Sequence, residues 1–200
     1  MKLAFVPSTF LPWVGGAEIQ AHNTANKMIE IGNDVDIFLL DKVKINNKKY
    51  KIVILNKILI NFVFLLKYYL NINFSFLLKF YFKEICKNKR YDVWHFHSVN
   101  YKTLIYIEVL KSLKQKVFIT FQGADIQKDY EIKYGYRFDT KYENFLKKII
   151  LLVDGVFAIS KNIQKDLNFF SYPSKKIFLI PNSIEIKKIK EVKKNSINNQ

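Results

Sequence analysis

Residues 2–31 read KLAFVPSTFLPWVGGAEIQAHNTANKMIEI, and this stretch decides the fold class. Lys2 to Val6 is a compact apolar run of strand length. The segment from Pro7 to Gly16, punctuated by Pro7, Pro12, Gly15 and Gly16, reads as a loop. From Ala17 to Ile31 the pattern turns helical, with Ala17, Ala21, Thr24, Ala25 and Met28 at helical spacing. Gly32-Asn33 then supplies a C-terminal stop. A strand, a glycine loop and a helix in direct succession form the opening unit of a parallel α/β sheet. The same residues faintly imitate a secretory leader, but the two prolines interrupt the apolar stretch and a single Lys precedes it. The strand–loop–helix reading accounts for them better.

The alternation continues outward from this unit. Val35–Leu40 and Lys51–Leu55 read as strands, separated by a Lys/Asn-rich turn. Two helical pieces follow, about Leu59–Leu70 and Phe74–Lys87, in which Phe62, Leu66, Tyr69, Phe76 and Phe80 recur every three or four residues. Lys67, Lys79, Lys83, Lys87 and Lys89 decorate the same region. Asp92–His97 is a strand, Thr103–Leu113 a helix, Val117–Phe121 a strand, and Lys141–Leu152 a helix after a long polar and aromatic loop, Gln122–Asp139. Gly155–Ile159 and Ile177–Ile180 complete the strands, around a short helix at Ile163–Leu167. Near-continuous apolar strands alternating with helices imply a doubly wound, mainly parallel, Rossmann-like sheet covered on both faces. After Pro181-Asn182 the apolar period is lost. Residues 1–186 are expected to form one domain and 187–200 a Lys/Asn-rich tail or the start of a linker.

Composition bounds the partners. The chain of 200 residues is half hydrophobic and carries 33 basic against 17 acidic residues, a net charge of +16. Only Arg90 and Arg137 of the basic residues are Arg. Nucleic-acid readers favour Arg for bidentate contacts, so a nucleic-acid partner is not expected. The Lys excess accompanies Asn, Ile, Phe and Tyr, residues of AT-rich codons, and is first a solvated surface and second a match to an anionic membrane face. Cys86 is the single cysteine, which allows no internal disulfide and fits a cytoplasmic setting. The most lipid-like stretch, Ile58–Phe82, is broken by Asn61, Lys67, Asn71, Asn73 and Lys79. Because a span needs about 20 predominantly apolar residues, an interfacial or buried helix pair is the expectation.

In an open parallel sheet, ligands bind beyond the carboxyl ends of the strands. After the first strand, Gly15 and Gly16 permit close backbone approach, and the helix beginning there offers unpaired N–H groups to an anion. A plain turn explains the pair about equally well. Neither a Walker A loop nor a G-x-G-x-x-G fingerprint occurs in the chain. The fourth strand ends His95-Phe96-His97, which places both imidazoles on one face; no further ligand lies nearby to complete a metal site. His97 is read as a polar contact at the strand end, and His95 as packed and hydrogen-bonded. After the fifth strand, Gly123 lets the chain turn sharply, while Gln122 and Asp125 bring polar groups to the cleft. Asp125 serves equally as a cap for the next turn.

Taken as an ordered set, these strand-end segments resemble the N-terminal domain of family 4 glycosyltransferases. The set comprises Gly15-Gly16-Ala17-Glu18, Asp92-Val93-Trp94-His95-Phe96-His97, Thr120-Phe121-Gln122-Gly123-Ala124-Asp125, Asp154 to Ser160, and Ile180-Pro181-Asn182-Ser183-Ile184-Glu185. The resemblance covers about residues 1–186. It implies a single lobe of a two-lobed GT-B enzyme, with the active site in the cleft between two Rossmann-like domains. It also implies a nucleotide diphosphate sugar as co-substrate, no bound cofactor or metal, and retention of anomeric configuration. Gly15 and Gly16 would lie near the donor diphosphate; His97, Gln122, Gly123 and Asp125 are candidate acceptor or sugar contacts. Gln122 stands where the family often has His, and Gln exchanges no proton at neutral pH, so no catalytic residue is assigned. No E-x7-E donor motif follows Asn182, so the chain is expected to be inactive without a donor-binding domain or chain. The expected acceptor is a glycan or lipid-linked molecule, with peripheral docking of Phe62–Arg90 on the cytoplasmic membrane face. The alternative is a non-catalytic acceptor-binding or membrane-tethering subunit that pairs with a separate donor-binding chain.

Overall fold

A computed structural model describes residues 1–183. The expected tail at 187–200 lies outside the described residues. Seven strands, β1 (Lys2–Pro7), β2 (Asp34–Leu39), β3 (Lys51–Ile54), β4 (Val93–His97), β5 (Val117–Phe121), β6 (Gly155–Ala158) and β7 (Ile177–Leu179), form one sheet in the order β3-β2-β1-β4-β5-β6-β7. Every pairing is parallel. Six α-helices lie on the connections, two between β3 and β4 and none between β2 and β3: α1 (Gly16–Glu30), α2 (Lys57–Tyr69), α3 (Ser75–Asn88), α4 (Tyr101–Ser112), α5 (Thr140–Ile150) and α6 (Lys161–Phe169). The doubly wound Rossmann-like expectation is met.

Alternation along the strands divides the core. Ala4, Val6, Phe38, Trp94, Phe96, Ile119 and Phe121 pack on one face of the sheet with residues of α2 to α6. Leu3, Phe5, Val35 and Ile37 pack on the other with Ala21 and Ala25 of α1. Trp94 and Phe96 are fully buried. Truncating Trp94 to Ala would cost about 3–5 kcal/mol.

The helices begin where local chemistry satisfies their first N–H groups. Asn56 accepts from Leu59 N at 3.0 Å to start α2. Asn100 and Thr103 cap each other to start α4. Asp139 accepts from Lys141 N at 2.9 Å to start α5, and Ser160 caps α6. Gly15, by contrast, brings no side chain to α1.

The aromatic period in α2 and α3 has an outcome of its own. The buried contacts of the pair come from Ile60, Val63, Leu78 and Phe82. The stripe Ile58 (84% exposed), Phe62, Leu65 and Tyr69 (63%) faces outward, continued by Phe76 and Phe80 (67%) on α3. These aromatics are therefore not core. Lys67 leaves the basic rim by turning inward to an ion pair with Glu108. Among the described residues, no helix is long and apolar enough to cross a membrane.

Candidate functional site

The strand order reverses between β1 and β4, and the crevice at that switch point is where open α/β sheets bind ligands. Register brings the strand ends level: Pro7 pairs with His97, and His97 with Thr120. Backbone bonds stitch the loops just beyond, from Ser8 N to His97 O at 3.2 Å and from Ser98 N to Thr120 O at 2.9 Å.

On the first side of the crevice, the loop after β1 is tied to α1 by the Thr9 hydroxyl, which donates to the Glu18 carboxylate. Glu18 sits in the first turn of α1, where the helix dipole favours its charge. It curls over Gly15, where an added Cβ would collide with Glu18 Oε2. Gly16 differs: it is exposed, and a Cβ there would meet nothing within 4 Å. No neighbour in this lobe therefore requires glycine at position 16.

The tip of β4 carries two neutral imidazoles. His95 bonds to Thr120 Oγ1 at 2.7 Å, matching its expected packed and hydrogen-bonded state. Burial, followed by the neighbouring His97, holds its pKa well below the ordinary imidazole value. His97 is 4% exposed, packed 4.6 Å from the Phe5 ring, and neither ring nitrogen has a hydrogen-bond partner. Burial pushes its pKa down to about 3. It is therefore a neutral group, able to donate from one nitrogen and accept at the other. Such a buried polar group without a partner inside the lobe is unusual.

Beyond β5 the predicted residues divide. Gly123 adopts φ +134°, and a Cβ would come within 2.8 Å of Tyr134 Oη, so the sharp turn itself demands glycine. Asp125 is 1% exposed. Its carboxylate turns inward to accept from Gly123 N at 2.9 Å, Gln122 N at 3.0 Å and Val99 N at 3.2 Å. Those are the bonds of the capping alternative, extended to the β4–α4 loop; the side chain is not open to the cleft. Burial raises its pKa to about 6, against the pull of the same backbone amides. Gln122 accepts from Asn182 Nδ2 at 3.0 Å, while its own Nε2 is buried without a partner. The Gln122–Asn182 contact joins residues 60 apart and had no signal in the sequence.

Two further features escaped the sequence reading. Arg137, buried at the end of the long loop, donates to Ile126 O at 3.0 Å and pairs with Glu143 and Asp166, which fastens the loop to α5 and α6. A cavity of about 240 Å³ opens beneath the β1 loop, lined among others by Thr9, Phe10, Phe38, Thr103 and Tyr106. The Tyr106 hydroxyl is buried there without a hydrogen-bond partner. Among the described residues no group of three or more His, Cys, Asp or Glu is arranged to hold a metal ion.

The family model described as Glycosyltransferase Family 4 matches residues 14–188. Among curated proteins no sequence matches. A glycosyltransferase from Rickettsia africae has the same fold at 17% identity and TM-score 0.60, over 98% of this chain and 49% of that one. HepE from Anabaena, solved in complex with UDP-glucose, follows at 13% identity and TM-score 0.61, covering 94% of this chain and 45% of that one. A UDP-GlcNAc 2-epimerase from Neisseria meningitidis, bound to UDP-GlcNAc, aligns at 14% identity and TM-score 0.58, over 100% and 52%. At these identities the likeness is one of fold alone, shared by transferases and epimerases. The chain spans about half the length of each, as a single lobe of a GT-B fold does.

Proposed function

The chain belongs to glycosyltransferase family 4, and from that membership and the open crevice we infer that it is the acceptor-side lobe of a retaining hexosyltransferase. The donor would be a nucleotide diphosphate sugar and the acceptor a glycan or lipid-linked molecule. The observation that carries this reading is the pairing of an uncapped, glycine-led α1 terminus with unpaired polar nitrogens on His97 and Gln122 at the same strand ends.

Each part has a chemical task. The first N–H groups of α1, with their partial positive charge, suit the donor diphosphate. Gly16 leaves room for it to approach the backbone. His97 and the Gln122 amide are uncharged groups buried just beneath the strand-end surface, and uncharged partners suit a neutral ring that reaches them. Asp125 acts one step back, as a positioning residue that holds the Gln122–Gly123 turn against the β4–α4 loop. The second lobe of such an enzyme supplies the donor site, so this lobe by itself is expected to be silent. That HepE was solved with UDP-glucose supports a UDP-sugar donor.

The test is incorporation of sugar from radiolabelled UDP-hexoses into extractable glycolipid or polysaccharide, in cells with and without the chain. Loss on deletion, restored by the wild type and not by Gly16→Trp, is expected. Unchanged incorporation would refute the reading, and robust transfer by the purified chain alone would refute the need for a donor lobe.

A second element of the reading is peripheral attachment to an anionic cytoplasmic membrane face. It is favoured by the outward stripe of Ile58, Phe62, Leu65, Tyr69, Phe76 and Phe80 and by the exposed Lys57, Lys79, Lys83 and Lys87 around it. Shallow apolar insertion and electrostatic attraction reinforce one another in such helices. If the chain is instead a non-catalytic tether, this face would remain essential while the strand-end residues would not.

A further inference from the structure

We propose that the acceptor's saccharide binds in an aromatic groove between α2, α4 and α5, beside the strand-end residues and not on them. This rests on the transferase reading above and assigns that enzyme's acceptor a site. The groove encloses about 440 Å³, and its principal walls are Phe64, Tyr68, Tyr101, Tyr136, Asp139 and Lys102.

The rings form two groups, Phe64 with Tyr68 and Tyr101 on one side and Tyr136 with Tyr142 on the other. Phe64 and Tyr68 stack at 5.3 Å, Tyr101 meets Tyr68 edge-on at 4.8 Å, and Tyr136 closes the far side 5.7 Å from Tyr142. Polar groups stand at the edges of these rings. The Tyr68 hydroxyl donates to Asp139 Oδ2, while Asp139 Oδ1 caps α5, so the carboxylate is fixed in place. Lys102 is held by Asn61 Oδ1 at 2.8 Å and lies over the Phe64 ring at 5.0 Å.

A pyranose ring presents two apolar C–H faces and a rim of hydroxyls. Flat rings satisfy the faces, and a carboxylate, an ammonium and phenol hydroxyls satisfy the rim. A bare acyl chain would leave Asp139 and Lys102 facing hydrocarbon, which is costly. A nucleotide base would also stack on these rings, and competition by UDP tells the two ligands apart.

Position agrees with chemistry. Ser8, Leu40, Asn100 and Lys102 line both this groove and the cavity beneath the β1 loop, so the two adjoin. A saccharide in the groove would therefore extend a hydroxyl toward the crevice at the sheet's switch point. Along α2, the groove residues Phe64 and Tyr68 neighbour the outward Leu65 and Tyr69, which suits an acceptor whose other end lies in a membrane.

The experiment is saturation-transfer NMR on the full chain with methyl glycosides of glucose, galactose, mannose and N-acetylglucosamine and with their disaccharides. At least one is expected to bind, with transfer strongest to its ring C–H protons. Tyr136→Ala and Tyr101→Ala should each weaken binding about tenfold. Tyr130→Ala, which removes an exposed aromatic outside the groove, should retain it, and both groove variants should keep the wild-type circular dichroism spectrum. Absence of binding by every saccharide overturns the proposal, as does binding that survives both alanine variants. Competition by UDP at the same rings would assign the groove to the nucleotide instead and overturn it too. The labelled-sugar incorporation assay judges the transferase reading separately: loss on deletion with full activity of Tyr136→Ala would discard the groove and leave the transferase.

Discussion

Replacing Asp125 by Asn isolates the energetics of the loop junction. In the wild type, Oδ1 serves the amides of Gln122 and Gly123, and Oδ2 serves Val99. An Asn side chain can keep the first pair, but its NH2 then faces the Val99 N–H, donor against donor. Leaving a buried amide unpaired costs about 1–3 kcal/mol. The pH dependence runs in the opposite sense. Burial raises the Asp125 pKa to about 6 in the folded protein, against about 3.9 in an unfolded chain. Between those values the folded state binds the extra proton, so ν_U − ν_N is negative and stability falls as pH rises. The gap between the folded and unfolded values corresponds to about 3 kcal/mol lost between about pH 4 and pH 6, with no further change from this group above that. Asn lacks this slope. Urea unfolding followed by circular dichroism, on both proteins at several pH values, reads the difference directly. The variant should be the less stable throughout, and by a wider margin at pH 4 than at pH 7. A margin that stays constant with pH, or that grows toward neutral pH, would refute the assignment of Asp125 as a buried carboxylate whose pKa is raised.

Three further outcomes follow from the same geometry. Gly16→Ala should leave stability within about 0.5 kcal/mol of the wild type, since nothing in the lobe touches that position; a fall in sugar transfer with unchanged unfolding would then locate the donor diphosphate at α1. His97 should show no titration of its ring signals by NMR between about pH 5 and pH 8, because burial pushes its pKa down to about 3; His97→Leu removes an unpaired buried imidazole, so thermal stability should hold or rise while transfer falls. Flotation with anionic liposomes should carry the chain upward at low salt and release it at high salt, and Phe62→Glu with Phe80→Glu should abolish flotation without shifting the melting temperature, since both side chains face outward; binding that ignores salt and both substitutions would remove the α2–α3 face from the membrane.

Much of the fold was legible because it is written in short-range signals. The β1–loop–α1 unit, all seven strands and all six helices appear within a residue or two of their expected places, since apolar period, glycines and capping residues act over a single turn or strand. The placing of His95 and His97 on one face of β4 followed from alternation alone. The candidate site was less legible. Asp125 looks like any cleft carboxylate in sequence; only the β4–α4 loop, arriving from 26 residues away, supplies the Val99 amide that turns it inward. The stripe of Phe62, Tyr69, Phe76 and Phe80 has the same period whether it faces core or solvent, and it is Ile60, Val63, Leu78 and Phe82 that take the core.

What the sequence by itself determined is therefore the class of the molecule: a doubly wound α/β lobe, and through five ordered strand-end segments its family. These depend on contacts within a few residues and on the order of motifs along the chain. Only the tertiary structure decided the strand order with its switch point beside His97, the burial of Asp125, the outward face of α2 and the groove around Tyr68 and Tyr101. Each of those joins residues far apart in the chain, and such pairings are settled by which packing buries the most apolar surface with its polar groups satisfied, a property of the whole fold that no local pattern carries.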